Sequence, residues 1–227
     1  MAVAARSLRL AHRGDWRVAP ENTLAALAGA MRVPACDGVE FDVRLSRDGV
    51  PVLLHDDTLG RVQHRPERVE ALTAAELASA GIPTLHAALT LLARDAWLNI
   101  ELKGDDHGDA TAAVLRAARG EAPRRALISS FEVPTLVAMA ERLPGWTRWF
   151  ATIDWTPETL PQAIELGCRG ISVDYAKVTP ARMAAARAAG VEVAVWTIRR
   201  RATFDRLERL GVVAACVEAA ALDGVAA

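Results

Sequence analysis

Cysteine is scarce in this chain, and neither sign of charge is in excess. The only cysteines are Cys36, Cys168 and Cys216, and their spacing matches no zinc or redox motif. We therefore expect reduced core thiols rather than disulfides. The formal net charge is −1, from 27 basic and 28 acidic residues, which gives no electrostatic footprint for nucleic acid or an anionic membrane. The expected partner is a small molecule.

Long apolar runs are also missing. The sequence from Met1 to Leu10 leads directly into a polar motif and leaves no room for the apolar segment and cleavage site of a signal peptide. No uncharged apolar stretch approaches the roughly 18 residues that a transmembrane helix needs. These absences predict a soluble, cytoplasmic protein with no stable membrane association, and they leave the oligomeric state open.

What the chain does contain is a regular alternation of short apolar runs with Ala/Leu-rich amphipathic stretches, which predicts parallel strands joined by helical crossovers. The predicted strands are Leu8–Ala11, Val39–Val43, Trp97–Leu102, Ala126–Ser129, Arg148–Ala151, Gly170–Val173, Glu192–Thr197 and Val212–Val217. In a chain of 227 residues, this pattern predicts a single α/β domain, residues 1–227, folded as a (β/α)8 TIM barrel.

One apolar run, Pro51–His55, follows the second predicted strand too closely for a parallel crossover. The intervening Asp48-Gly49 is typical of a tight turn, so we predict a β-hairpin after the second strand. If the turn is centred on Asp48-Gly49, paired residues have numbers that sum to about 97, and Asp42 is expected opposite His55.

Polar residues concentrate where the predicted strands end, and these ends form the reactive face of an α/β barrel. The groups are His12-Arg13-Gly14, Glu40-Phe41-Asp42, His55-Asp56 and Glu101-Leu102-Lys103. A spacing of two residues projects both side chains of a pair to the same face of a strand. Glu40, Asp42 and Glu101 are therefore expected to converge at the barrel mouth, with Lys103 beside them.

Three carboxylates in a partly dry pocket repel one another unless a cation neutralises them. Oxygen ligands favour a hard divalent ion, so the predicted cofactor is Mg²⁺ or Ca²⁺. The alternatives are structural. Each carboxylate could form an ion pair with Arg13 or Arg44, His12 could be an ordinary hydrogen-bonded histidine, and Lys103 could be a solvated surface residue. The other histidines, which are His64, His86 and His107, are expected at the surface or behind the site.

The polar groups belong to an ordered series of motifs that resembles the glycerophosphodiester phosphodiesterases, a family related in barrel and mechanism to phosphoinositide-specific phospholipases C. The matching segments are His12-Arg13-Gly14, Pro20-Glu21-Asn22-Thr23, Gly38 to Val43, Asp48 to Asp56, Ile82 to Leu85, Leu98 to Lys103, Ile128 to Phe131 and Val195-Trp196-Thr197. One such motif alone would be weak evidence, but the series covers most of the chain.

The resemblance implies metal-dependent hydrolysis of glycerophosphodiesters, such as glycerophosphocholine or glycerophosphoethanolamine, to glycerol 3-phosphate and an alcohol. The implied roles are metal binding for Glu40, Asp42 and Glu101, general acid and base catalysis for His12 and His55, and phosphate binding for Arg13 and Lys103. Which histidine is the acid stays open. Trp196 would pack against the polyol or headgroup, or else be a core tryptophan, and Asn22 would orient His12 or cap the first helix.

The sequence also departs from the family pattern. A charged stretch, Arg61–Glu67, replaces the usual Thr/Gly-rich loop, His86 stands in place of a glutamate, and Val217-Glu218 replaces Thr-Asp near the last strand. We expect these changes to affect substrate range rather than activity. The rival functions are a phosphodiesterase acting on lysophospholipids or other diesters, a non-catalytic barrel that binds phosphorylated ligands, and a barrel with unrelated sugar-phosphate chemistry.

Overall fold

The structure, a computed structural model, describes residues 6–104 and 107–224. The strands in these ranges are β1 (Leu8–His12), β2 (Gly38–Leu45), β3 (Pro51–Leu53), β4 (Trp97–Leu102), β5 (Ala126–Ser130), β6 (Thr147–Thr152), β7 (Gly170–Asp174), β8 (Glu192–Ile198) and β9 (Ala214–Val217). The helices are α1 (Leu24–Ala30), α2 (Gly60–Gln63), α3 (Ala74–Ser79), α4 (Leu85–Leu91), α5 (Asp109–Arg119), α6 (Val133–Arg142), α7 (Thr159–Glu165), α8 (Pro180–Ala188) and α9 (Arg201–Leu210).

All of these strands except β3 are parallel, and they close into a barrel because β1 pairs with both β2 and β9. Helices α4 to α9 connect the strands from β3 to β9. The (β/α)8 barrel predicted from the sequence is thereby confirmed. The last strand starts at Ala214 rather than at Val212, because the Val212 amide still donates to Leu207 O at the end of α9, at 3.2 Å.

Threonine side chains define where several helices begin, since each accepts a hydrogen bond from a backbone N–H of the first turn. The capping threonines are Thr23, Thr73, Thr84 and Thr179. Glu76 completes a capping box with the threonine before α3. The caps of α1 and α8 end the loops that follow β1 and β7 at the carboxyl face of the barrel.

Side chains inside the barrel change character from its amino-terminal to its carboxyl-terminal end. Leu10, Leu127, Trp149, Ala194 and Ala214 form a separate apolar cluster. Two residues further along, the strands carry Asn99, Ser129, Ser172 and Cys216, which are all buried. The charged residues of the strand ends follow. The larger core lies between the strands and the surrounding helices. The apolar cluster at the amino-terminal end therefore closes the barrel below a polar cavity floor.

The predicted hairpin exists, but its register differs from the prediction by one residue. Val43 pairs with Leu53 and Leu45 with Pro51, so Asp42 is not opposite His55. The reason is Gly49, whose φ of 74° and whose hydrogen bond to Ser46 O at 2.9 Å form a three-residue loop with a bulge instead of a two-residue turn. His55 reaches the vicinity of Asp42 because the chain continues beyond the end of β3.

Three expectations concern the remainder of the chain. In the described ranges no helix is both long and apolar enough to span a bilayer. The three cysteines form no disulfide, and Cys168 and Cys216 are buried while Cys36 is half-buried. Residues 1–5, which entered the argument about a leader sequence, lie outside the described residues, so cytoplasmic location and a single domain over residues 1–227 stay predictions.

Candidate active site

A cavity of about 660 Å³ opens at the carboxyl end of the barrel. Its wall combines charged side chains with an apolar side. The charged side chains include His12, Arg13, Glu40, Arg44, His55, Arg68, Glu101 and Lys103. The apolar side includes Leu102, Phe131, Ile153 and Trp196. Every predicted site residue except Asp42 lines this cavity directly.

Three carboxylates converge at the cavity floor. Glu40 and Asp42 are two residues apart on β2, so both face the barrel interior. Asp42 pairs in register with Glu101 on β4. One oxygen from each of the three lies within 4.8 Å of the others. Glu40 and Asp42 are buried, and Glu40 Oε1 has no hydrogen-bond partner among the described residues. An unpartnered buried carboxylate oxygen is uncommon, so Glu40 Oε1 is available to a hard cation.

The charges of this acidic cluster are unequally compensated. Burial, together with the negative charges of Asp42 and Glu101, raises the pKa of Glu40 well above its ordinary value. Burial and Asp42 also raise the pKa of Glu101. Burial alone would raise the pKa of Asp42 as well, but the positive charges of Arg13 and Lys103 outweigh it and lower that pKa. The negative charge of Glu40 is therefore the least compensated of the three.

Two basic side chains, Arg13 and Lys103, contact the carboxylates directly. Arg13 Nε lies 3.1 Å from Asp42 Oδ2, and its Nη1 donates to Glu21 Oε1 at 2.8 Å. Lys103 Nζ lies 3.4 Å from Asp42 Oδ1 and forms a closer ion pair with Glu101. Lys103 is thus part of the cavity rather than a solvated surface residue. Both cations can present donors to an anion in the cavity.

The turn after β1 depends on glycine. Gly14 has a φ of 85°, and a Cβ there would lie 2.6 Å from the backbone carbon of Ala26 in α1. Gly14 thus combines an unusual turn with a close backbone approach. Arg13 directly precedes this turn, and its amide continues the β1–β2 ladder by donating to Glu40 O at 2.8 Å.

His12 and His55 are held in the same way. The Nδ1 atom of each lies 2.6 Å from a carboxylate oxygen, of Glu218 for His12 and of Asp56 for His55. Since an ionised carboxylate only accepts, Nδ1 carries the proton and Nε2 is left for other chemistry. His12 Nε2 lies 4.0 Å from Glu40 Oε2, so the ring edge faces the acidic cluster.

An arginine holds each of these two carboxylates. Arg199 Nε donates to Glu218 Oε2 at 2.7 Å, and Arg61 Nε donates to Asp56 Oδ2 at 2.7 Å. Although burial opposes it, the hydrogen bonds from Arg61 and His55 lower the pKa of Asp56 to about 2. Despite its burial, the pKa of Glu218 also falls to about 2, through His12 and Arg199. Both carboxylates are ionised at neutral pH.

Burial lowers the pKa of His55 itself, and the positive charges of Lys103 and Arg13 act in the same direction, while Asp42 opposes them. His55 is therefore predominantly neutral near pH 7. A neutral imidazole with a free Nε2 can accept a proton.

Asn22 and Arg44 have other partners than the sequence had indicated. Asn22 does not contact His12 or cap α1. Its side-chain Nδ2 donates to Asp42 Oδ2 at 2.9 Å, and its side-chain Oδ1 accepts from the backbone N–H of Asp42 at 3.2 Å. Arg44 forms no ion pair within the described chain, and its Nε donates to His55 O at 2.8 Å. His107 lies behind the site, which is one of the two places expected for it: it is buried and contacts Val43 O at 3.1 Å, which ties the ends of neighbouring strands together.

Glu218 is a functional candidate that the sequence did not reveal. In the sequence, Val217-Glu218 stands out only as a departure from the Thr-Asp of the family pattern. The rule that polar residues at strand ends face the cavity, already applied to the other strands, would have found it.

The apolar side of the cavity rests on two aromatic rings. Phe131 and Trp196 pack edge to face with centroids 5.8 Å apart, and Lys103 Nζ lies 5.4 Å from the Phe131 centroid. Trp196 is half-buried and lines the cavity, so it is a wall residue rather than a core tryptophan. Ile153 lines the rim and is 61% exposed.

Comparisons with known proteins agree on one family. The model of the glycerophosphoryl diester phosphodiesterase family matches residues 12–221. A glycerophosphodiester phosphodiesterase of Caldanaerobacter subterraneus is 28% identical in an alignment 224 residues long, which covers 91% of this chain and 92% of that protein. Glycerophosphodiester phosphodiesterase 1 of Rattus norvegicus is 37% identical in an alignment 131 residues long, which covers 51% of this chain and 39% of that protein.

Solved structures agree as well. A phosphodiesterase of Oleispira antarctica, in complex with the product sn-glycerol-3-phosphate, superposes with a TM-score of 0.83 at 27% identity, covering 93% of each chain.

Proposed function

The chain belongs to the glycerophosphoryl diester phosphodiesterase family and is a phosphoric diester hydrolase, and from this premise we propose that it hydrolyses glycerophosphocholine, glycerophosphoethanolamine and similar glycerophosphodiesters. The products would be glycerol 3-phosphate and an alcohol. The observation that carries the proposal is one cavity in which three clustered carboxylates, two cations and two imidazoles meet. The product bound in the Oleispira structure supports glycerol 3-phosphate as the product here.

Glu40, Asp42 and Glu101 would hold one divalent ion, Mg²⁺ or Ca²⁺. The donor set fits, because all three side chains offer hard oxygen ligands and Glu40 Oε1 lacks any other partner among the described residues. When bound, the ion supplies electrostatic stabilisation of the negative charge that builds up on the phosphoryl oxygens.

Arg13 and Lys103 would bind the negatively charged phosphate through their N–H donors. Both are already anchored by ion pairs with Asp42, so little side-chain freedom is lost when the anion enters. The arginine offers several N–H donors in a plane, and the lysine offers a single mobile charge. Together they orient the phosphorus between the histidines.

His12 and His55 would carry the protons. Because each Nδ1 faces a carboxylate, each Nε2 is the atom that exchanges a proton with the substrate. One imidazole would take the proton of the nucleophile, either water or a hydroxyl of the substrate, and the other would give a proton to the departing alkoxide. Either histidine can take either role.

Headgroup preference follows from the rim. Phe131, Ile153 and Trp196 form an apolar side, while Arg44 and Arg68 lie at the charged side. A single exposed aliphatic side chain on the rim of a charged cavity favours a soluble diester over a lysophospholipid, which needs a broader apolar surface.

The test is a turnover panel on the chelated protein with each metal added back. Glycerophosphocholine, glycerophosphoethanolamine and a lysophospholipid are supplied, and release of glycerol 3-phosphate is measured. We expect metal-dependent turnover of the first two and loss of turnover in Glu40→Gln, His12→Ala and His55→Ala. His86→Ala is the matched control for loss of catalysis, because His86 is exposed on α4 and does not line the cavity, so turnover of at least one of the two glycerophosphodiesters should persist.

Each other outcome points to a different function. Faster turnover of the lysophospholipid would select the lipid-directed activity. Binding of a glycerophosphodiester without turnover would select a non-catalytic barrel, and full activity in His55→Ala would select unrelated chemistry.

A further inference from the structure

Glu218 connects His12 to a residue outside the cavity. It follows β9, is 8% exposed, and its amide donates to Ile198 O of the neighbouring strand at 2.9 Å. Its two carboxylate oxygens serve different partners: Oε1 faces His12 Nδ1 at 2.6 Å and Oε2 accepts from Arg199 Nε at 2.7 Å. The backbone and both oxygens are therefore fixed.

We propose that Glu218 is a positioning residue that holds His12 with its proton on Nδ1 and its Nε2 toward the cavity, and that Arg199 fixes which oxygen of Glu218 faces the imidazole. The inference rests on the proposed role of His12 in proton transfer. It adds a residue and an orientation mechanism that the motifs of the sequence do not supply.

The chemistry of the contact is directional. A carboxylate has no proton to donate at neutral pH, so it accepts from Nδ1–H and excludes the neutral tautomer in which Nδ1 bears a lone pair. The same contact stabilises the imidazolium that forms when Nε2 takes up a proton. His12 is thus prepared for either direction of transfer by one partner on the side remote from the substrate.

Glutamine at position 218 tests this more sharply than alanine does. The new amide has one accepting oxygen and one donating nitrogen, and Arg199 can only donate. Arg199 therefore takes the amide oxygen, and the NH₂ group is turned toward His12. An NH₂ donor there requires a lone pair on Nδ1, which moves the imidazole proton to Nε2 and opposes formation of the imidazolium.

Removing Arg199 from that variant should reverse the effect. In Glu218→Gln/Arg199→Ala the amide is free to rotate, and its oxygen can accept from Nδ1–H again. A purely structural role for Glu218 predicts the opposite, because a second lost contact would add to the first. Arg199→Ala alone keeps the carboxylate and should matter little, since the arginine side chain is 70% exposed.

The experiment compares kcat/KM on glycerophosphocholine among the wild type, the two single variants and the double variant. We expect Glu218→Gln to lose on the order of 10²- to 10⁴-fold, the usual contribution of a general acid or base, and Arg199→Ala to lose less than about fivefold. The double variant should regain about tenfold or more over Glu218→Gln. Glu192→Gln is the matched control, because its partner Arg169 lies at the opposite end of the barrel, and it should keep wild-type activity.

¹⁵N NMR of labelled histidine gives a second readout that needs no turnover. His12 signals are identified by their loss in His12→Gln, and the nitrogen shifts report which ring atom bears the proton. We expect Nδ1–H in the neutral wild-type ring and Nε2–H in Glu218→Gln.

A wild-type ring protonated at Nε2 would overturn the proposal even if the variants fail to fold, and so would a double variant no more active than Glu218→Gln. Absence of hydrolysis by the wild type would count against the proposed function instead.

Discussion

Replacing Glu40 by glutamine should stabilise the metal-free protein at neutral pH while it abolishes activity. Glu40 is 2% exposed, and its carboxylate lies within 4.8 Å of one oxygen each of Asp42 and Glu101. Two like charges at that separation repel by about 3 kcal/mol at an effective dielectric constant near 20. Arg13 and Lys103 offset part of this, so we expect the free energy of unfolding to rise by about 1–3 kcal/mol.

The sign follows from the pKa of Glu40, which burial and its acidic neighbours raise in the folded state. A carboxyl group that is harder to ionise in the folded than in the unfolded protein destabilises the fold once pH exceeds its unfolded pKa, and the destabilisation grows until the folded pKa is passed. The advantage of Glu40→Gln should therefore be largest at neutral or higher pH. It should shrink as pH falls toward the ordinary glutamate value of 4.5.

Urea unfolding in the presence of a chelator measures this directly, followed by the same titration with Mg²⁺ or Ca²⁺ added. The added ion should stabilise the wild type, by about 3 kcal/mol at a concentration one hundred times the dissociation constant, and should stabilise Glu40→Gln much less. Glu192→Gln serves as the control and should gain nothing. A Glu40→Gln protein less stable than the wild type under chelation would refute the electrostatic reasoning.

Three further predictions concern packing, acid stability and phosphate binding. Gly38→Ala should destabilise the fold by about 3 kcal/mol in urea unfolding, because its Cβ would lie 1.9 Å from Trp97 O, whereas Gly60→Ala, whose nearest neighbour is 3.6 Å away, should be nearly neutral. Because the pKa of Glu218 is lowered to about 2 in the folded state, the wild type should lose its stability advantage over Glu218→Gln as pH falls from about 4.5 toward 2. The advantage is at most about 3 kcal/mol, and nearer 1 after solvent screening. Arg13→Lys should reduce kcat by about 10²-fold in a steady-state assay, because a single ammonium cannot replace the planar set of N–H donors that Arg13 would offer to the phosphate. An unchanged kcat would contradict the phosphate-binding role.

The sequence was sufficient for the barrel and for the acidic cluster, and the reason is geometric. Strand alternation with a period of two fixes which side chains enter the barrel, and parallel strands bring their carboxyl ends together. Glu40, Asp42 and Glu101 could therefore be assigned to one place without knowledge of any contact.

Features that depend on turn geometry or on side-chain competition were out of reach. The hairpin register depended on the left-handed conformation of Gly49, which makes a three-residue loop where Asp-Gly equally suits a two-residue turn. From its position in the sequence, Asn22 could orient His12 or cap the first helix, and only the fold pairs it with Asp42. His107 gave no pattern at all, because its contacts are backbone carbonyls and a threonine hydroxyl.

The most direct test of the account is a crystal structure of the chain with Ca²⁺ and glycerol 3-phosphate. It should have one ion bound to an oxygen from each of Glu40, Asp42 and Glu101, with the phosphate between His12 Nε2 and His55 Nε2. An ion bound elsewhere, or a phosphate that contacts neither imidazole, would contradict it.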